Sequence, residues 1–171
     1  MTNRHFRSFS LSGPMRWFFV AASALLTTMD ASADDKAVQR ELDSLKGVWK
    51  AVQFGHRDGA FPKEELDRRE VTWTFKDGGK AIFAAKEFGG KDAQYTYRID
   101  PYKSPKVIDF TYVGPALQLK GSKQFGIYKI EGGKLTLCLT GGKATDKDRP
   151  QKFEIENKDR VFLEMERPNK K

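Results

Sequence analysis

Few side chains here have the type and spacing that chemistry needs. His56 lies in the turn-like segment Gly55-His56-Arg57-Asp58-Gly59, and Cys138 is the only cysteine. One imidazole and one distant thiol cannot assemble the usual zinc ligand set. Nor can a single cysteine form an intramolecular disulfide. Cys138 sits inside Leu135-Thr136-Leu137-Cys138-Leu139 and reads as a small packing residue, with a reactive thiol or an intermolecular bridge as the alternative. His56 reads as an exposed loop residue without a role. Asp146-Lys147-Asp148 begins like a calcium loop, but Lys143 and Arg149 flank it and no glutamate follows at the required spacing. Glycoside hydrolysis needs two carboxylates facing one another across a cleft. Asp109, Glu154, Glu164 and Glu166 fall in strand-like runs that spacing alone does not pair. Asp109 is a candidate structural partner for Arg149. No catalytic residue, metal ligand or cofactor is assigned.

The aromatic residues are the better candidates. Trp73, Phe75, Tyr95, Tyr97, Phe110, Tyr112 and Tyr128 occupy strand positions with one apolar face. In a barrel of about eight strands such rings either fill the interior or line a small-ligand cavity. Bulky rings on short strands favour filling. A cluster of inward phenols, which want hydrogen-bond partners when buried, would instead mark a ligand-accepting pocket.

The elements that must position these rings are mostly strands. Val38, Leu42 and Leu45 follow Asp34 and Asp35 at the spacing of one helical stripe, predicting a helix too short to stand alone. Gly47 ends it, and Val48–Phe54 is the first expected strand. Pro62, Glu64 and Glu65 suit the start of a second short helix, a natural lid. From Glu70 the period becomes two: Val71, Trp73 and Phe75 share one face. Turn residues at 77–80, 89–92, 131–134 and 157–159 then separate strands expected at 80–88, 93–100, 107–113, 124–130, 135–140, 153–156 and 161–167. Short, evenly spaced strands with tight turns predict an all-β antiparallel meander of about nine strands. The longer connections at 114–123 and 140–152 are the default places for recognition.

The ends and the charge bound the setting. Arg4, Arg7 and Arg16 precede the apolar run Trp17–Leu26, and Ala31-Ser32-Ala33 offers a cleavage site. Residues 1–33 therefore read as a signal peptide, since the run is shorter than the roughly 20 residues a membrane-spanning helix needs. A retained anchor is the alternative. Export to a periplasm or beyond is expected, with one domain over residues 34–171, no transmembrane segment after processing, and a monomer. The net charge is +8, of which the leader carries +2. A basic balance favours acidic partners such as an anionic envelope component. The lysines are dispersed among acidic residues, however, which argues for a solvated surface and against specific nucleic-acid binding.

The helix followed by Leu45-Lys46-Gly47-Val48-Trp49 resembles the opening of lipocalin-like (calycin) domains. More specifically, the chain is similar to a secreted lipocalin-like domain of unknown function abundant in planctomycetes. The blocks that carry the resemblance are 45–50, 100–110, 126–128, 135–138, 149–153 and 163–167. It implies an up-and-down barrel with Trp49 plugging the closed end after Gly47, and Arg167 lying across the indole. It carries no activity over. The expected function is thus a non-enzymatic binding protein, holding a small, partly apolar ligand at the end opposite Trp49. The alternative is a solid barrel whose basic loops contact an envelope polymer or a protein.

Overall fold

A computed structural model describes residues 33–56, 59–86, 92–154 and 159–168. The leader and its cleavage site fall outside these residues, apart from Ala33. The helix α1 (Ala33–Leu45) leads into β1 (Gly47–His56), β2 (Gly59–Ala60), the helix α2 (Lys63–Arg69), β3 (Thr72–Lys76) and β4 (Lys80–Ala84). Then follow β5 (Ala93–Asp100), β6 (Lys106–Tyr112), β7 (Lys123–Glu131), β8 (Lys134–Thr140) and β9 (Arg160–Glu166). All strand pairings are antiparallel. Consecutive strands from β3 to β9 are neighbours, and β1 pairs with both β3 and β9. Eight strands therefore close a barrel, and the two-residue β2 is an extra pairing on the end of β1.

The strand set differs from expectation in three places. Phe153 and Glu154, expected to open a strand, form bends. They belong to the long β8–β9 connection, whose described residues up to Glu154 lie on the barrel wall rather than in its ladder. The ninth strand is instead β2, inside the segment read as a turn, because Gly55 and His56 pair back with Ala60 and Gly59. Strand β4 also stops at Ala84, short of the expected 88.

Period-two alternation places the core. Trp73 and Phe75, Ile108 and Phe110, the three leucines of β8, and Leu163 and Met165 all turn inward and are buried. Outward positions carry Thr72, Thr74, Gln94, Thr96 and Arg98. A polar outer wall around an apolar interior is the reverse of a lipid-spanning barrel. Among the described residues no helix is long and apolar enough to cross a membrane. Every core residue lies within residues 31–171, which form one compact unit. A compact unit with its own hydrophobic core has the makeup of a domain that folds alone.

Helix α1 closes one end of the barrel. Leu45 is fully buried and Leu42 packs on the core. Further along the rim, the Tyr102 hydroxyl donates to the Asp34 carbonyl at 2.7 Å. Between these points Glu41 reaches in to Lys106 and accepts from the Tyr128 hydroxyl at 3.1 Å. Trp49 is 1% exposed beneath the helix end, and its indole N–H donates to the Leu45 carbonyl at 2.6 Å. The Arg167 guanidinium lies 4.3 Å from the Trp49 ring centroid and donates to the carbonyls of Ser44 and Lys46 at 2.8 and 2.9 Å. Gly47 has φ +113, and a Cβ there would come within 2.8 Å of the Arg167 Nη1. A side chain at 47 would therefore be strained and would push the guanidinium off the ring.

Two substitutions test this end. Trp49→Ala should cost about 3–5 kcal/mol in denaturant unfolding, the range for truncating a buried aromatic. Arg167→Ala should cost about 1–2 kcal/mol, because one partly exposed guanidinium supplies the ring contact and two carbonyl bonds. Equal losses for the two would contradict a plug held mainly by burial.

Candidate functional site

The rings expected to line the barrel divide by depth. Trp73 packs against Phe110 at 4.6 Å between centroids, and against Phe83 and Tyr95 at 5.3 Å each. Phe75 meets Tyr97 edge-on at 5.1 Å. Trp73, Phe75, Tyr97, Phe110, Tyr128 and Tyr112 are all at least 95% buried. The first four fill the middle of the barrel by touching one another. Tyr128 sits at the closed end under Glu41. The remaining two, Tyr95 and Tyr112, are 5.5 Å apart and reach the opposite end.

There they border an open pocket of about 510 Å³, completed by Phe83, Ala85, Asp92, Ala93 and, from the β6–β7 loop, Pro115, Ala116, Gln118 and Leu119. The β6–β7 loop is the connection at 114–123 read from the sequence as a place for recognition, whereas Phe83 was not singled out. Phe83 follows Ala81 by two in β4, so strand parity alone could have found it. Strand parity says nothing of how the loop is seated, because it is irregular and is held by bonds within residues 112–122. The Ala116 N–H donates to the Tyr112 hydroxyl at 3.3 Å. Gly114 allows the phenol to lie against the chain, since a Cβ there would be 2.5 Å from that hydroxyl oxygen. Beneath the pocket, the Trp73 indole N–H is buried with no hydrogen-bond partner among the described residues. An orphaned donor of this kind costs about 1–3 kcal/mol.

Other sequence candidates resolve into structural roles. His56 is half-buried at the end of β1 rather than exposed in a turn, with its ring 4.7 Å from Phe61 and 6.2 Å from Phe54. Arg149 donates to Asp109 at 2.5 Å and to the Gly126 carbonyl at 2.9 Å, and also binds Asp146. It pins the β8–β9 connection to the outer wall. That connection buries Cys138, whose thiol lies 3.7 Å from the Glu154 carbonyl. Asp148 accepts from the Thr145 N–H and hydroxyl at 2.8 and 2.7 Å, so the Asp-x-Asp carboxylates are spent on a capping box and on Arg149. Glu164 and Glu166 both face Lys134, at 2.6 and 3.3 Å. Among the described residues no three His, Cys, Asp or Glu side chains converge as a metal site. The same connection borders a second open pocket, of about 1080 Å³, with Lys143, Lys147, Arg149 and Arg160 facing Asp148 and Asp159.

No protein-family model, curated protein or solved structure matches this chain.

Burial pushes the phenols of Tyr95, Tyr97 and Tyr128 above the usual tyrosine range, with smaller contributions from Tyr112, Asp77 and Glu41 respectively. Folding therefore favours their neutral forms. That stability is fully present below the unfolded value of about 10 and is lost as pH rises above it. Urea midpoints should fall from about pH 10 upward, and Tyr128→Phe should flatten part of that fall. A midpoint independent of alkaline pH would contradict the burial of these hydroxyls.

Proposed function

We propose that this chain is an exported, non-enzymatic binding protein of lipocalin-like type, acting as a monomer. Its ligand is small and partly apolar, and sits at the barrel mouth rather than in the interior. The observation that carries this reading is the pocket formed by Phe83, Tyr95, Tyr112 and, from the β6–β7 loop, Pro115, Ala116, Gln118 and Leu119. Its volume suits a small organic molecule, and its mix of apolar wall and few polar groups is typical of such sites. Aromatic faces would supply contact area, while Asp92, Gln118 and the two phenols could fix orientation. The leader-like residues 1–33 support export.

A second reading rests on different observations. The ring-filled interior and the pocket with Lys143, Lys147, Arg149 and Arg160 favour an interaction module that contacts an anionic envelope polymer or a protein through its basic loops.

Native mass spectrometry of protein purified from its own host separates the two. Under the first reading a small molecule co-purifies, and Ala116→Trp, which places an indole in the mouth, abolishes the adduct without lowering the melting temperature. An adduct that persists in Ala116→Trp places the ligand elsewhere and ends the first reading. The absence of any adduct favours the second.

A further inference from the structure

The β6–β7 connection does more than wall the pocket. Val113, Leu117 and Leu119 are 45%, 80% and 48% exposed. Single exposed apolar residues are ordinary. Three within 113–119, continuous with an apolar pocket, form a patch that calls for a partner. The loop cannot fold them away, because its backbone is committed. Leu119 N–H donates to the Ala116 carbonyl, Ser122 N–H to Leu119, Gly121 N–H to Tyr112, and Tyr112 N–H to Ser122, all at 2.9–3.0 Å. Its Leu117–Leu119 segment is a turn of 3-10 helix held on the barrel rim.

Charge indicates what covers the patch. Lys120 and Lys123 follow the leucines directly; both are exposed, and neither has an ion-pair partner among the described residues. The acidic residue lining the pocket is Asp92, which makes no ion pair with either lysine among the described residues. Lys76, Lys80, Lys143 and Lys147 likewise have no ion-pair partner among the described residues, so what marks Lys120 and Lys123 is their place beside exposed leucines. Leucines beside uncompensated lysines match a surface whose interior is hydrocarbon and whose face is anionic. A protein partner is a poorer match, because the lip presents no tryptophan, tyrosine or arginine anchor.

We propose that the Val113–Lys123 lip docks on an anionic lipid bilayer, with Leu117 and Leu119 entering the headgroup region and Lys120 and Lys123 meeting lipid phosphates. The mouth pocket then opens beside the membrane. The docking does not depend on whether that pocket holds a ligand.

The test is flotation of the 31–171 unit with vesicles of phosphatidylglycerol and phosphatidylcholine in equal parts, against pure phosphatidylcholine. The unit should float with the anionic vesicles and stay behind with the neutral ones. Leu117→Ser with Leu119→Ser should weaken partition at least about tenfold, since two exposed leucines lose their burial. Lys120→Gln with Lys123→Gln should weaken it by a similar factor. Both pairs are exposed, so melting temperatures should stay at the parental value. Partition unchanged by the serine pair would overturn the proposal, because general basic charge would then account for the binding. No partition of the parent would also overturn it. So would a dimer of the parent that the serine pair dissolves without changing flotation, since a second copy would then be the occupant.

Discussion

The structure depends on β1 being hydrogen-bonded along both edges. Its first residues, Gly47–Lys50, pair with β3, while Lys50–Gly55 pair with β9. An unpaired strand edge leaves a row of donors and acceptors open to other chains, and closure removes it. For one strand to serve two neighbours it must bend. A register shift between Ala51 and Gln53 supplies the bend and changes the inward parity, so Trp49, Ala51 and Phe54 all face the core. Gly47 and the Arg167 guanidinium lie where the chain enters that strand, which places the two ends of the barrel's sequence against each other.

Closure at this diameter leaves an interior that side chains can fill. Trp73, Phe75, Tyr97 and Phe110 do so. The space for a ligand moves outward to the rim, where only Tyr95 and Tyr112 of the expected rings reach. Helix α1 removes the other end from consideration by placing Leu45, Trp49 and the Glu41–Tyr128 pair across it. The two features with binding character, the aromatic pocket and the lysine-flanked lip, therefore share one end. The loops there are free of the ladder and can carry residues that the barrel itself does not need.

Much of the framework was legible because strands write their burial with period two. The alternations in β3, β5, β6, β8 and β9 mark the inward rings and aliphatics one by one, and the pairing of Asp109 with Arg149 was anticipated from its block. Other features were not legible. Phe153 and Glu154 have strand-like surroundings in the sequence yet lie outside the ladder, because the connection before them is held down by Arg149 and Glu154 lies over Cys138 on the outer wall. His56 looked solitary because Phe54 and Phe61 come together around it only after the chain reverses through β2. The site shifted for a related reason: a list of inward aromatics does not say at what height along the barrel each one sits.

The sequence by itself determined the strand alternation, the turns at 77–80 and 131–134, the amphipathic α1 and the lack of an intramolecular disulfide, since each follows from local pattern or composition alone. Tertiary structure decided the rest. Whether rings fill a barrel or line a cavity depends on how eight strands close and how far each is staggered. Which leucines stay in water depends on how a loop bonded within residues 112–122 is seated on the barrel rim. Phe83 and Leu117 illustrate the difference: one joins the pocket and the other faces solvent, and in both cases the cause is what the closed sheet places beside them.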